Sequence, residues 1–126
     1  MFKKYDVVFE EELSNKDGSI QSGFRPSVVI QNDIGNKYSP TLIVLPLTSK
    51  IKNLRQATHL LIKSDAENGL TMDSMLLAEQ VTTVSKEKIR RIGRISDKGV
   101  QNDIFRCYIY AAAYGEGDED LQKLKI

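Results

Sequence analysis

Apolar and polar residues alternate at the start of the chain, where Tyr5, Val7 and Phe9 keep the two-residue period of a half-buried strand. From Glu10 to Gly23 that pattern is lost. Asn15, Asp17, Gly18, Ser22 and Gly23 fall in this stretch, which reads as a long loop, and loops of that length in compact domains are commonly functional. Ser27 to Gln31 is a continuous run rich in β-branched residues, as expected of a strand covered on both faces. Asn32 to Asn36 is turn chemistry. A second covered run, Thr41 to Leu47, follows Pro40.

Further strands are expected at Thr58 to Ile62, Met75 to Ala78 and Gln80 to Val84, with a tight turn at Asn68-Gly69. Ser85 is placed to cap a short helix, Lys86 to Arg91, and Ile92 to Ile95 returns to a strand. Ser96 then caps the main helix, Asp97 to Tyr114. Its apolar positions Val100, Ile104, Cys107, Tyr108 and Ala111 share one face, and Gly115-Glu116-Gly117 ends it. Strands dominate and one substantial helix closes the chain. The pattern predicts a mainly β, α+β fold: a small, strongly curved, barrel-like sheet with a packed C-terminal α-helix. Residues 1–115 form the domain, and the acidic segment 116–126 is a tail.

Composition narrows the class. A chain of 126 residues is enough for one core, and its 40% hydrophobic and 28% charged content is that of a soluble domain. No run approaches a membrane span, and the N-terminus lacks an apolar stretch of secretory length, so a cytoplasmic location is expected. Cys107 is alone and sits in an apolar helical pattern, which favours a buried thiol over a nucleophile. The net charge of +1 does not announce a nucleic-acid binder. The distribution says more. Lys50, Lys52 and Arg55 form one basic cluster, and Lys86, Lys88, Arg90, Arg91 and Arg94 another. Solvated faces and a local groove for a single strand both fit such clusters.

The chemistry available is restricted. With one histidine, His59, a paired-histidine acid–base scheme is excluded, and His59 itself reads better as structural than as a substrate contact. No metal-ligand spacing, phosphate-binding glycine loop or GxSxG elbow is present, and no cofactor is implied. Arg25 lies between Gly23 and Pro26, and Pro26 drives it toward an extended backbone at a strand's entrance. A guanidinium held there can bind phosphate through two bonds; an ordinary surface arginine is the competing reading. Thr48 follows the second covered run. Its hydroxyl can meet a phosphate oxygen or an attacking ribose hydroxyl, or can simply cap a turn. If the two strands are neighbours, Arg25 and Thr48 emerge at one sheet edge.

Gln21-Ser22-Gly23-Phe24-Arg25-Pro26, Val28 through Thr41, and Thr48-Ser49-Lys50-Ile51 together resemble the core of the MazF/PemK family of toxin endoribonucleases. Thr58-His59-Leu60-Leu61-Ile62, Met72-Asp73-Ser74 and Glu79-Gln80-Val81-Thr82-Thr83 are similar to later family segments in the same order. The resemblance implies an SH3-like, CcdB-like barrel, a homodimer, and an interface groove for single-stranded RNA. It implies metal-independent cleavage by ribose 2′-hydroxyl attack on the adjacent phosphate, and a cognate antitoxin protein as partner.

On the matching positions, Arg25 and Thr48 are the catalytic pair. Gln21, Phe24, Asn32, Lys50, Glu79 and Gln80 are RNA contacts, and a core-facing Phe24 remains open. Three departures stand out: Tyr5 where the family usually has glycine before the aspartate, Ile20 in place of an acid, and Thr82 in place of an arginine. They leave the catalytic pair intact, and the cleavage sequence is not inherited. The alternative is a non-catalytic module. A CcdB-like toxin acts through a C-terminal tryptophan, which this chain lacks, and a degenerate MazF-like module would bind RNA or antitoxin without cutting.

Overall fold

A computed structural model describes residues 1–10 and 25–113. Within them lie seven strands and two α-helices: β1 Asp6–Glu10, β2 Pro26–Val29, α1 Asp33–Tyr38, β3 Thr41–Thr48, β4 His59–Ile62, β5 Ser74–Leu77, β6 Thr82–Ser85, β7 Ile89–Arg94 and α2 Lys98–Ala112. All pairings are antiparallel, and the strands follow the order β4-β5-β3-β2-β1-β7 with β6 joined to β3. The expected mainly β class with a C-terminal helix is borne out. The path is open, however: β4 and β7 stand at its two ends instead of pairing to close a barrel.

The two covered runs form the centre of this sheet. β3 meets β2 along one side and shares its other side between two partners, β6 at Thr41 to Val44 and β5 at Leu47 and Thr48. Pro46 lies at the handover, where a residue lacking an N–H removes no ladder bond that either partner needs. Both faces are covered. Val28, Leu45, Leu47 and Leu76 pack with Ile104 and Cys107 of α2 on one face, while Val8, Val29, Leu42, Val44 and Ile89 form a smaller cluster on the other. Cys107 is the buried thiol its pattern implied. Burial and then the nearby Asp103 push its pKa up, against Arg106, and its Sγ lies 3.8 Å from the His59 carbonyl.

Local signals were overridden at three places. The turn expected at Asn32 to Asn36 opens α1 instead: Asn32 caps it, accepting from the Gly35 N–H at 2.8 Å, and the buried Asn36 amide donates to the Gln31 carbonyl. The short helix expected from Lys86 to Arg91 shrinks to one 3₁₀ turn, Lys86–Lys88, capped by Ser85. From Ile89 onward, pairing with β1 claims the backbone. The main helix takes Asp97 as its cap (Oδ1 to the Val100 N–H, 3.0 Å), because the Ser96 hydroxyl is engaged by the Glu67 carboxylate.

The turn at Asn68-Gly69 is as expected, and it packs tightly on β7. Gly69 has φ of +71°, and a Cβ built on Gly93 would lie 2.2 Å from the Asn68 carbonyl carbon. Neither neighbour is a movable side-chain tip. Gly93→Ala is therefore expected to lower stability by about 3 kcal/mol, measured by urea unfolding. Unchanged stability would show that the turn and β7 separate freely.

Candidate active site

The register of β2 against β3 decides what the two strand ends share. Ser27 faces Pro46, Val28 faces Leu45 and Val29 faces Val44. Continued past the strand's start, this ladder sets Arg25 opposite Thr48. The two residues singled out in the sequence thus meet at one edge of the sheet, as neighbouring strands require. Arg25 is exposed and precedes Pro26, the first residue of β2, while Thr48 is the last residue of β3. The Thr48 Oγ1 accepts from the Lys50 N–H at 3.2 Å, a local turn contact that fixes the oxygen and leaves the hydroxyl proton for a ligand.

Both residues line a cleft of about 540 Å³. Among the described residues its cations are Arg25, Lys50 and Arg90, Phe9 and Met72 add apolar surface, and none of its described lining residues is acidic. Three cations around one concavity make a local anion site, whatever the chain's total charge. A second cleft of similar size, about 540 Å³ between β4 and the start of α2, is rimmed by Asp65, Glu67 and Asp97 against one cation, Lys63. Its charge repels phosphate. Among the described residues no group of three His, Cys, Asp or Glu side chains is gathered that could hold a metal ion.

Of the other residues expected to contact RNA, the structure brings only Lys50 into the first cleft. Gln21 and Phe24 lie outside the described residues. Asn32 sits beyond the opposite end of β2, where it caps α1. Glu79 and Gln80 belong to a 3₁₀ turn after β5, at the far end of that strand from Met75, the partner of Thr48. The Glu79 carboxylate is already engaged: Thr58 Oγ1 donates to it at 2.9 Å, and His59 Nε2 lies 3.2 Å away. The other ring nitrogen of His59 is 3.0 Å from the Asn53 carbonyl, so the histidine ties the β3–β4 connection to β5, the structural part expected of it. Arg90, read in the sequence only as one of a basic cluster, and Phe9, read only as a strand residue, also line the cleft.

The chain matches the family model described as PemK-like, MazF-like toxin of type II toxin–antitoxin systems over residues 3–103. The chain belongs to this family. It is 41% identical over 99 residues to the Endoribonuclease MazF of Staphylococcus saprophyticus, covering 78% of this chain and 81% of that protein. It is 46% identical over 88 residues to the Endoribonuclease EndoA of Bacillus subtilis, covering 69% and 73%. Among solved structures, an endoribonuclease in complex with its cognate antitoxin from Mycobacterial species matches with a TM-score of 0.70 at 15% identity, covering 91% of this chain and 98% of that one. MazE–MazF from Deinococcus radiodurans matches at 0.63 and 13% identity, covering 90% and 96%. At such identities the structures establish a shared fold.

Family membership gives the departure at Tyr5 a physical meaning. Tyr5 has φ of +72°, a left-handed conformation that a glycine adopts freely and that costs a tyrosine about 1–3 kcal/mol. Its backbone is held on both sides: its N–H donates to the Val29 carbonyl at 2.7 Å, and its carbonyl accepts from the Ile95 N–H at 2.9 Å. Its ring packs on the main core.

The Glu79 clamp makes a pH prediction. Burial pushes the Glu79 carboxyl up, but hydrogen bonds from its own backbone, His59 and Thr58 together hold it below its ordinary 4.5. A depressed carboxylate stabilises the fold above its unfolded value, and that stability is lost as pH falls through the folded one. Glu79→Gln is expected to cost about 1 kcal/mol at neutral pH, the gap to the parent closing as pH falls below 4.5. Urea unfolding at stepped pH reads it, and a gap that widens in acid would dismiss the clamp.

Proposed function

We propose that this chain is the toxin of a type II toxin–antitoxin system and a metal-independent endoribonuclease that cleaves single-stranded RNA. The observation that carries this reading is the juxtaposition of Arg25 and Thr48 across the β2–β3 register, in a cleft whose described charged residues are all cations. Family membership and the endoribonuclease names of the bacterial relatives support it.

The nucleophile is supplied by the substrate itself, the ribose 2′-hydroxyl beside the scissile phosphate. Much of the rate then comes from positioning that hydroxyl in line with the phosphorus. Thr48 orients the hydroxyl or a phosphate oxygen, its Oγ1 already fixed by the Lys50 N–H. Arg25 stabilises the negative charge that grows on the phosphate oxygens as the bond forms, a term that outweighs ground-state attraction because it strengthens in the transition state. The O5′ departs with a proton, leaving a 5′-hydroxyl on one fragment and a cyclic phosphate on the other.

The partners of this reading are single-stranded RNA, a second copy of the chain, and a cognate antitoxin. An antitoxin is supported by the mycobacterial endoribonuclease of similar fold, solved in complex with its cognate antitoxin. No helix among the described residues is long and apolar enough to cross a membrane, and a toxin acting on RNA belongs in the cytoplasm.

The purified chain is expected to cut single-stranded RNA in EDTA. Arg25→Ala and Thr48→Val each reduce the cleavage rate by about a hundredfold or more with the melting temperature unchanged, and Arg25→Lys restores only part, because an ammonium lacks the guanidinium's two-bond geometry. Electrophoresis of end-labelled RNA measures this. Undiminished cutting by both variants would remove the mechanism, and RNA binding without any cutting would favour the non-catalytic module.

A further inference from the structure

We infer that Arg90 is a substrate-binding residue of the cleft, gripping the RNA phosphate next to the scissile one, and that an irregularity in the β1–β7 pairing aims it there. The inference rests on the ribonuclease reading above.

Three arginines stand close together on β7. Two are engaged by one carboxylate: the buried Asp6 lies 3.2 Å from Arg91 Nε and 3.2 Å from Arg94 Nη1. The Arg90 side chain is exposed, has no hydrogen bond or ion pair among the described residues, and lines the cleft with Arg25 and Thr48. The difference comes from the register. Asp6 faces Arg94 and Val7 faces Gly93, but Val8 faces Arg91, so Ile92 is an extra residue on β7. Bulges of this kind re-aim side chains at strand ends.

Beyond the bulge, Arg90 stands opposite Phe9, and Phe9 stands opposite Pro26. Directly opposed residues share a face, so Arg90, Phe9 and Pro26 form one row across three strands. With regular pairing, Arg91 would face the cleft, and Arg90 would turn to the other side of the sheet.

The row spans two strand spacings, about 10 Å. At one end lies Pro26, whose neighbour Arg25 lines the same cleft; at the other lies Arg90; the half-buried Phe9 is between them. Two cations lining one cleft match two phosphates of a single strand. Arg25 and Thr48 are assigned the bond being broken, and Arg90 the phosphate beside it. Its contribution is to affinity and to the placement of the strand.

The test compares the full chain with Arg90→Ala and Arg91→Ala in EDTA across a salt series. KM and kcat come from cleavage of a labelled RNA, and affinity from its fluorescence anisotropy. Arg90→Ala is expected to raise KM and Kd about tenfold, to leave kcat within about twofold, and to reduce the slope of log Kd on log salt by about 0.7, one phosphate contact fewer on a single strand. Its melting temperature stays at the parent value. Arg91→Ala lowers the melting temperature and leaves the slope intact.

Replacing the neighbouring phosphate by a neutral methylphosphonate should make parent and Arg90→Ala bind alike. A chain that binds RNA without cutting it would sink the ribonuclease reading, while the anisotropy arm still decides the contact. An unchanged Kd and salt slope in Arg90→Ala would overturn the inference. So would a loss confined to binding of an acidic peptide such as oligoglutamate, which would assign Arg90 to a protein partner.

Discussion

The cleft depends first on the antiparallel register of β2 against β3. Neither Arg25 nor Thr48 is unusual alone: one is an exposed arginine before a proline, the other a threonine at a strand's end. Pairing Ser27 with Pro46 makes them neighbours across a ladder. A slip of one residue would turn every side chain of β2 to the opposite face. It would move Val28 and Val29, each fully buried, out of the core cluster each one fills and into the other, where neither fits its neighbours. The cores on both faces therefore hold the site's geometry, and the hydrophobic effect fixes the relation of two polar groups that take no part in it.

The same logic governs the other end of the cleft, with a carboxylate as the organiser. Asp6 is 1% exposed and accepts from the Lys3 N–H at 2.8 Å as well as meeting two guanidinium groups. A buried carboxylate is tolerated only with such compensation. Because Arg91 and Arg94 lie three residues apart, a regular strand would present them on opposite faces. The extra residue Ile92 brings both to the face of Asp6 and sends Arg90 to the other. One local irregularity thus settles a burial problem and equips the cleft.

What the sequence made legible follows from how local each signal is. The covered runs of β2 and β3, the turn at Asn68-Gly69 and the apolar face of α2 depend on residues close together, and they were read correctly. The Lys86 to Arg91 segment failed because Ser85 offers a genuine cap, honoured for one 3₁₀ turn, while the following residues answer to β1, some eighty positions earlier. Arg90 was hidden for the same reason: its facing is set by a bulge, and a bulge erases the alternation from which facing is read. Asn32 and Glu79, named as RNA contacts on the resemblance, also have partners within the fold, one capping a helix and the other meeting Thr58 and His59. In both, a polar side chain suited to a base edge is equally suited to an orphan backbone or hydroxyl group nearby.

Charge shows how a sum can mislead where a distribution does not. A net charge of +1 gave no sign of an anion site. The fold resolves it into two clefts of similar size, one carrying Arg25, Lys50 and Arg90 and the other Asp65, Glu67 and Asp97 with Lys63, a net negative rim. Separating the signs gives each concavity a field that the whole molecule lacks, and at physiological salt that field decays over about 8 Å. A phosphate in the first cleft is therefore governed by its lining cations, and the acidic rim beyond α2 weakens it little. The near-neutral total limits nonspecific attraction to nucleic acid at long range. Affinity is left to contacts that only a strand seated in the cleft can make.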